Sequence, residues 1–300
     1  MTTNAAIRKR ITAQIVEAIE TNNVLPWRRP WRRSPNTGRA TNVASKKPYN
    51  GINPLLLELH RLEHGLGSRW YGTFQQWEQL GCHVLKRPDH VEAGRWGARI
   101  VMYRPMTKRH VDAGTGDEME DRFFVMRTWT VFNADQVDGA DKWQAKGEGD
   151  FTVPDFGPAD ALIAATAADI WHYGDQAFYN RAGDYIVVPP KHRFDPLGTY
   201  YETVFREFGH WSEPRLGWDS RQHGCATGEL VAEMAASFLA TELGVPQSLD
   251  NDAAHLNSWL REMRNDPAFI FRASTQASKV TDYLLSFVEE EAAIPEAVVV

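Results

Sequence analysis

From Asp135 to Pro158 the chain reads DQVDGADKWQAKGEGDFTVPDFGP, so dense in glycine, proline and charge that no strand or helix period survives it. Apolar periodicity stands on both sides, so two separate packing units are expected. The boundaries that follow are a first domain over 1–137, a linker over 138–157, a second domain over 158–290 and a frayed tail over 291–300. Three hundred residues suffice for two ordinary cores, and 43% hydrophobic residues exclude wholesale disorder.

Before the break, Ile11, Ile15, Ala18 and Ile19 recur at helical spacing within 7–21. Asn53 and Pro54 predict a helix start, followed by Leu55, Leu56, Leu57, Leu59 and Leu62 and stopped by Gly65. Thr73 opens a short helix over 74–80 closed by Gly81, and β-rich runs follow at 98–103 and 122–132. After the break the pattern predicts helices over 159–171, 197–211, 229–243, 253–264 and 267–286. A strand pair, 177–179 and 184–188, flanks the turn Asn180-Arg181-Ala182-Gly183. The class is α+β: an N-terminal α/β domain, then a mostly helical domain with a small sheet.

No run of about eighteen apolar residues exists, so no membrane span is expected. The basic start lacks an apolar stretch behind it, which argues against a signal peptide. Cys82 and Cys225 alone cannot build a disulfide framework or a four-cysteine zinc site, and a reducing cytoplasm is the expected location. Residues 1–50 hold ten Lys or Arg against Glu17 and Glu20, a balance of +8; with −6 for the whole chain, the rest carries −14. Such a split predicts a polyanion at one end.

Within that end, 27–39 reads W-R-R-P-W-R-R-S-P-N-T-G-R. Arginines pair with phosphates, and flat rings stack on unpaired bases. The candidates for nucleic-acid contact are Trp27, Arg28, Arg29, Trp31, Arg32, Arg33 and Arg39. Lys46, Lys47, Tyr49, Asn50, Arg69 and Trp70 extend the set, followed by Tyr71, Phe74 and Trp77. Trp27 and Trp31 have a second reading, as clamps that fasten an extended arm to the core, and Trp77 with Leu80 has a second reading as core. No helix-turn-helix or zinc finger is present, so single-stranded nucleic acid is the expected partner.

In the second half, YYETVFREFGHW places Arg206 and His210 four residues apart, with Glu207 between them. In H-E-x-x-H two imidazoles on one helical face hold zinc while the glutamate serves as base. Here Glu207 is the candidate base and His210 a candidate ligand, but Arg206 puts a guanidinium where the first imidazole would stand. Glu229, nineteen positions on, and Glu233 share one face of the next helix. Either could be the third ligand and the other its orienting neighbour. His192, His223 and His255 are further nitrogen sources. The cofactor such a site takes is Zn2+ or another divalent metal, with Arg206 set against it.

PWRRPW, KKPYNGINPLLL, RWYGTFQQWEQLGCHV and TWTVFNADQV, then GELVAEMAASFLATELG and YYETVFREFGHW, resemble the ArdC family of plasmid antirestriction proteins. The resemblance covers nearly the whole chain. It implies an N-terminal domain binding single-stranded DNA and a C-terminal zincin-like metallopeptidase domain. It further implies protection of incoming mobile DNA, with a host or DNA-bound protein as a second partner. The family carries H-E-L-T-H-W or a close variant where this chain has Arg206 to Trp211. The carry-over gives Glu207 as acid/base, His210 as ligand and the Glu229/Glu233 helix as source of the third; it stops at Arg206. Two other readings are an active metallopeptidase tethered to DNA and a structural relative of the N-terminal part of plasmid primases.

Overall fold

The computed structural model describes residues 3–22, 25–28, 36, 38–111, 118–145, 155–248 and 253–293. The first half runs α1 (Asn4–Asn22), β1 (Thr41–Asn42), α2 (Asn53–His64), β2 (Trp70–Gly72), α3 (Phe74–Gln79), β3 (His83–Val84), β4 (Ala98–Val111), β5 (Glu118–Asn133) and β6 (Val137–Asp138). The second runs α4 (Gly157–Ala165), β7 (Asp169–His172), β8 (Phe178–Asn180), β9 (Tyr185–Val188), α5 (Gly198–Arg215), α6 (Cys225–Leu243), α7 (Ala253–Asn265) and α8 (Phe269–Ala293). The protein is α+β, in two parts. Among the described residues no helix is long and apolar enough to cross a membrane.

A sheet in the order β1-β2-β5-β4 forms the frame of the first half, with β1 parallel to β2 and the other neighbours antiparallel. Thr73 caps α3 in a reciprocal capping box with Gln76. Asn53 departs from expectation. Its amide donates to the Val101 carbonyl at 2.9 Å and accepts from the Val101 amide at 2.7 Å, fastening α2 to the β4 edge, while Ile52 stands at the cap. The runs expected at 98–103 and 122–132 are the base of a hairpin with fourteen register pairs. Its outer part is exposed on both faces, so burial imposes no alternation there to read.

Two further expectations change in the second half and at its border. The helix expected to reach Trp171 ends at Ala165; Ala167, at φ 48°, turns the chain, and β7 pairs parallel to β9 with β8 on the other side. Residues 138–143, expected as linker, pack on the first half. Asp138 pairs in β6 with β3, and Trp143 is buried edge-on to Trp77 at 5.6 Å. The second half centres on α6, buried nearly all round from Leu230 to Ala240. The largest apolar cluster joins both halves: Ile7, Ile11, Ile15 and Trp27 pack in it with Phe205, Leu239, Trp259 and Ile270.

Candidate functional site

Gly209 sets the geometry of the zincin-like half. It lies in α5 facing Ala232 of α6, and a Cβ there would stand 2.7 Å from the Ala232 Cα. A glycine inside a helix costs about 1 kcal/mol relative to alanine, and here it permits the two helices to cross closely. The crossing brings Arg206 and His210, one turn apart on α5, against Glu229 and Glu233 of α6.

The first contacts are ion pairs. An Arg206 Nη2 donates to Glu229 Oε2 at 2.5 Å, and Nη1 lies 4.0 Å from Glu233 Oε2. Glu233 is also held by Arg28, whose Nε and Nη2 stand 2.8 and 2.7 Å from Oε1. Arg28 Nη1 donates to the Ser248 carbonyl at 2.9 Å. The arm of the first half thus inserts a guanidinium beside the helix pair of the second. Together Arg28, Glu202, Arg206 and Glu233 line a cavity of about 130 Å3.

His210 Nδ1 lies 3.1 Å from Glu213 Oε1, and Nε2 lies 3.7 Å from Glu229 Oε1. The buried Glu213 is anchored through Oε2 by Arg181 and by the amide and hydroxyl of Ser220. Burial would lower the His210 pKa, but the Glu213 hydrogen bond and the charges of Glu207 and Glu229 outweigh it and raise it. Glu207 is buried, and burial pushes its carboxyl up against the lowering effects of His210 and Arg206. Glu229 is held below its ordinary range: burial opposes this, but the Arg206 hydrogen bond prevails.

These residues do not fit a zincin's metal. A guanidinium has no lone pair to give, and both α6 carboxylates are already engaged by fixed cations. Among the described residues no group of three or more His, Cys, Asp or Glu is arranged to hold a metal ion. Of the further nitrogen sources, His255 lies near enough for its charge to act on Glu229 and stacks on Trp259. His223 stacks on Trp218, and His192 lies in a short turn.

Glu202 was not singled out by any motif. Burial pushes its carboxyl up to about 7 from 4.5, against the lowering effects of the Ser248 amide and Arg28. A folded carboxyl with a raised pKa binds more protons than the unfolded chain between those two values. Its contribution is therefore greatest below pH 4.5 and is lost as pH rises through about 7. The Glu202→Gln variant should gain on the parent over that interval by up to about 3 kcal/mol. Urea unfolding of both proteins along a pH series measures it, and parallel stability curves would refute it.

The nucleic-acid candidates divide into three groups. Trp27 is buried, edge-on to Trp259 at 6.0 Å. Arg28 serves Glu233, while Arg39 and Arg69 both engage Glu242, with Arg39 reaching Asp282 at 2.8 Å. Arg29, Trp31, Arg32 and Arg33 lie outside the described residues. Lys46, Lys47, Tyr49, Asn50 and Trp70 gather at β1 and β2. There Lys46, Lys47 and Asn50 are exposed, Tyr49 and Trp70 are half-buried, and the Lys46 ammonium sits 4.8 Å over the Trp70 ring.

Comparison with known proteins follows this division. Residues 5–132 match the family described as the N-terminal domain of anti-restriction factor ArdC. Residues 157–276 match a zincin-like metallopeptidase family. The chain is 28% identical over 294 and 297 residues to two DNA primases TraC of Escherichia coli, but spans 20% and 27% of their lengths. It is 29% identical to the uncharacterized protein y4eC of Sinorhizobium fredii, spanning 91% of it. The metal-free crystal structure of the antirestriction ArdC protein from the R388 plasmid superposes with a TM-score of 0.74 at 33% identity, covering 95% of this chain and 98% of that one. Its Mn(II)-bound structure gives 0.68 at 30% identity, covering 94% and 97%.

Proposed function

The chain belongs to the ArdC antirestriction family, and on that premise we propose that it binds single-stranded DNA in the cytoplasm and shields incoming mobile DNA from restriction. Protection is by occupancy of the strand. The zincin-like half is a scaffold whose catalytic motif is degenerate. The observation that carries this reading is the Arg206–Glu229 pair, a guanidinium closed on the carboxylate that would otherwise be free for a metal. With that site filled, function falls to the basic first half, where exposed Lys46, Lys47 and Asn50 adjoin Trp70.

Fluorescence anisotropy of a labelled oligonucleotide tests this. With about four phosphates engaged, log affinity should fall by about 3 for each tenfold rise in salt. Single strands should bind better than duplex of equal length. Affinity indifferent to salt, or no binding at low salt, would overturn the proposal. The rival reading, a DNA-tethered metallopeptidase cleaving DNA-bound proteins, draws on the Mn(II)-bound structure of the R388 relative. It requires this chain to take up metal.

A further inference from the structure

The β4–β5 hairpin runs well past the body of the protein. At its base Ala98, Ile100, Val101, Met126 and Val131 are buried. Beyond them the side chains lose cover on both faces, with Met102 52% and Phe124 62% exposed, and already at the base Trp129, opposite Ile100, is 51% exposed. Exposed rings and thioethers in such number, on one two-stranded ribbon, are costly in water unless something covers them.

Register sorts them. Paired residues of an antiparallel ladder share a face, so Ile100–Trp129, Met102–Arg127, Arg104–Val125 and Met106–Phe123 lie on one side. Large apolar groups and arginines thus alternate along the ribbon in steps of about 7 Å. None of these eight residues is acidic, and among the described residues no hydrogen bond or ion pair engages the side chain of Arg104 or Arg127. The acidic Glu120 and Asp121 fall further out, where Glu120 is taken by Arg109 at 2.7 Å. The face also continues into the body: Tyr49, beside exposed Lys47 and Asn50, packs on the cluster that contains Ile100 and Val131.

We infer that this face is a track for single-stranded nucleic acid. Bases stack on Trp129 and Phe123, Met102 and Met106 line the way between them, and Arg104 and Arg127 take phosphates. The charge pattern selects this occupant, since a polyanion with flat apolar bases satisfies free arginines and bare rings together. The hairpin would then carry the strand outward from the Lys47–Asn50 loop. This rests on the proposed single-strand binding and assigns it a place.

The full-length chain and two double variants, Phe123→Ala with Trp129→Ala and Arg104→Ala with Arg127→Ala, are titrated with a labelled oligothymidylate across a salt series. Melting temperatures verify that the exposed substitutions leave the fold intact. Stacking of about 1–3 kcal/mol per base predicts a loss of at least fivefold for the ring variant. The arginine variant should lose about 1.4 from the salt slope. Photocrosslinking with bromodeoxyuridine should label the peptide spanning 119–133. A parent that binds while both variants match it, or crosslinks confined to other peptides, overturns the track and leaves the function standing. A parent that does not bind removes both. Ring and arginine losses that alter capture of a protein but not of the oligonucleotide would also overturn it.

Discussion

Replacing Trp27 with alanine should lower the stability of the whole protein by about 3–5 kcal/mol, the range for deleting a large buried ring. The ring is 2% exposed and lies in the cluster that joins α1 to α6, α7 and α8. Its loss therefore weakens the contact between the two halves as well as the arm. The carbonyl of the same residue accepts a hydrogen bond from Ser237, fixing the backbone there. One detail separates ring volume from polarity: the indole Nε1 is buried with no hydrogen-bond partner. Trp27→Phe keeps most of the packing and removes an unpaired donor whose burial costs about 1–3 kcal/mol. That variant should lose less than about 1.5 kcal/mol. Urea unfolding gives both values. Oligonucleotide affinity of the phenylalanine variant should match the parent, because no face of the ring is open. A drop in affinity at unchanged stability would show instead that Trp27 stacks on bases.

That contrast shows what local pattern could and could not carry. α1 was legible because it buries one stripe, Ile7, Ile11, Ile15 and Ile19, while α2, buried nearly all round over its first two turns, was legible from its leucine run and its ends; Thr73 and Gly65 mark ends by chemistry that acts within one turn. The meeting of His210 with Glu229 was legible too, since helical spacing puts each on a defined face. What escaped were contacts with no local signature. Arg28 reads as a phosphate binder beside three more arginines, yet its partner Glu233 lies 205 positions away. Arg39 and Arg69 likewise find Glu242 across the chain. The outer hairpin escaped because neither face is buried, and β7 because its strand character comes from pairing with β9. Glu213 stood in view three residues after His210, and that spacing could have identified it as the group orienting the ring.

The largest change in chemistry should come from Arg206→His. The substitution removes the fixed cation from Glu229 and places an imidazole one helical turn from His210, on the face that α5 turns toward α6. His210 needs little rearrangement, because Glu213 already holds Nδ1 and leaves Nε2 directed toward Glu229 at 3.7 Å. Two imidazoles and one carboxylate then form the donor set of a catalytic zinc site. Glu233 stays with Arg28, so its pull on the site is that of a neutralised neighbour. Zinc affinity should rise by a factor of about 100 or more over the parent, since even the loss of an outer hydrogen-bond partner costs 10–100-fold. Metal at a hundred times its dissociation constant should add about 2.7 kcal/mol of stability, visible as a raised melting temperature. Arg206→Gln, which removes the charge without supplying a nitrogen, should gain neither. Equilibrium dialysis with elemental analysis compares all three proteins. Stoichiometric zinc or manganese in the parent, lost on His210→Ala, would mean that the guanidinium yields its place to the ion. The reading of this half as a filled scaffold would then be wrong, because the Arg206–Glu229 pair would be a gate that metal opens.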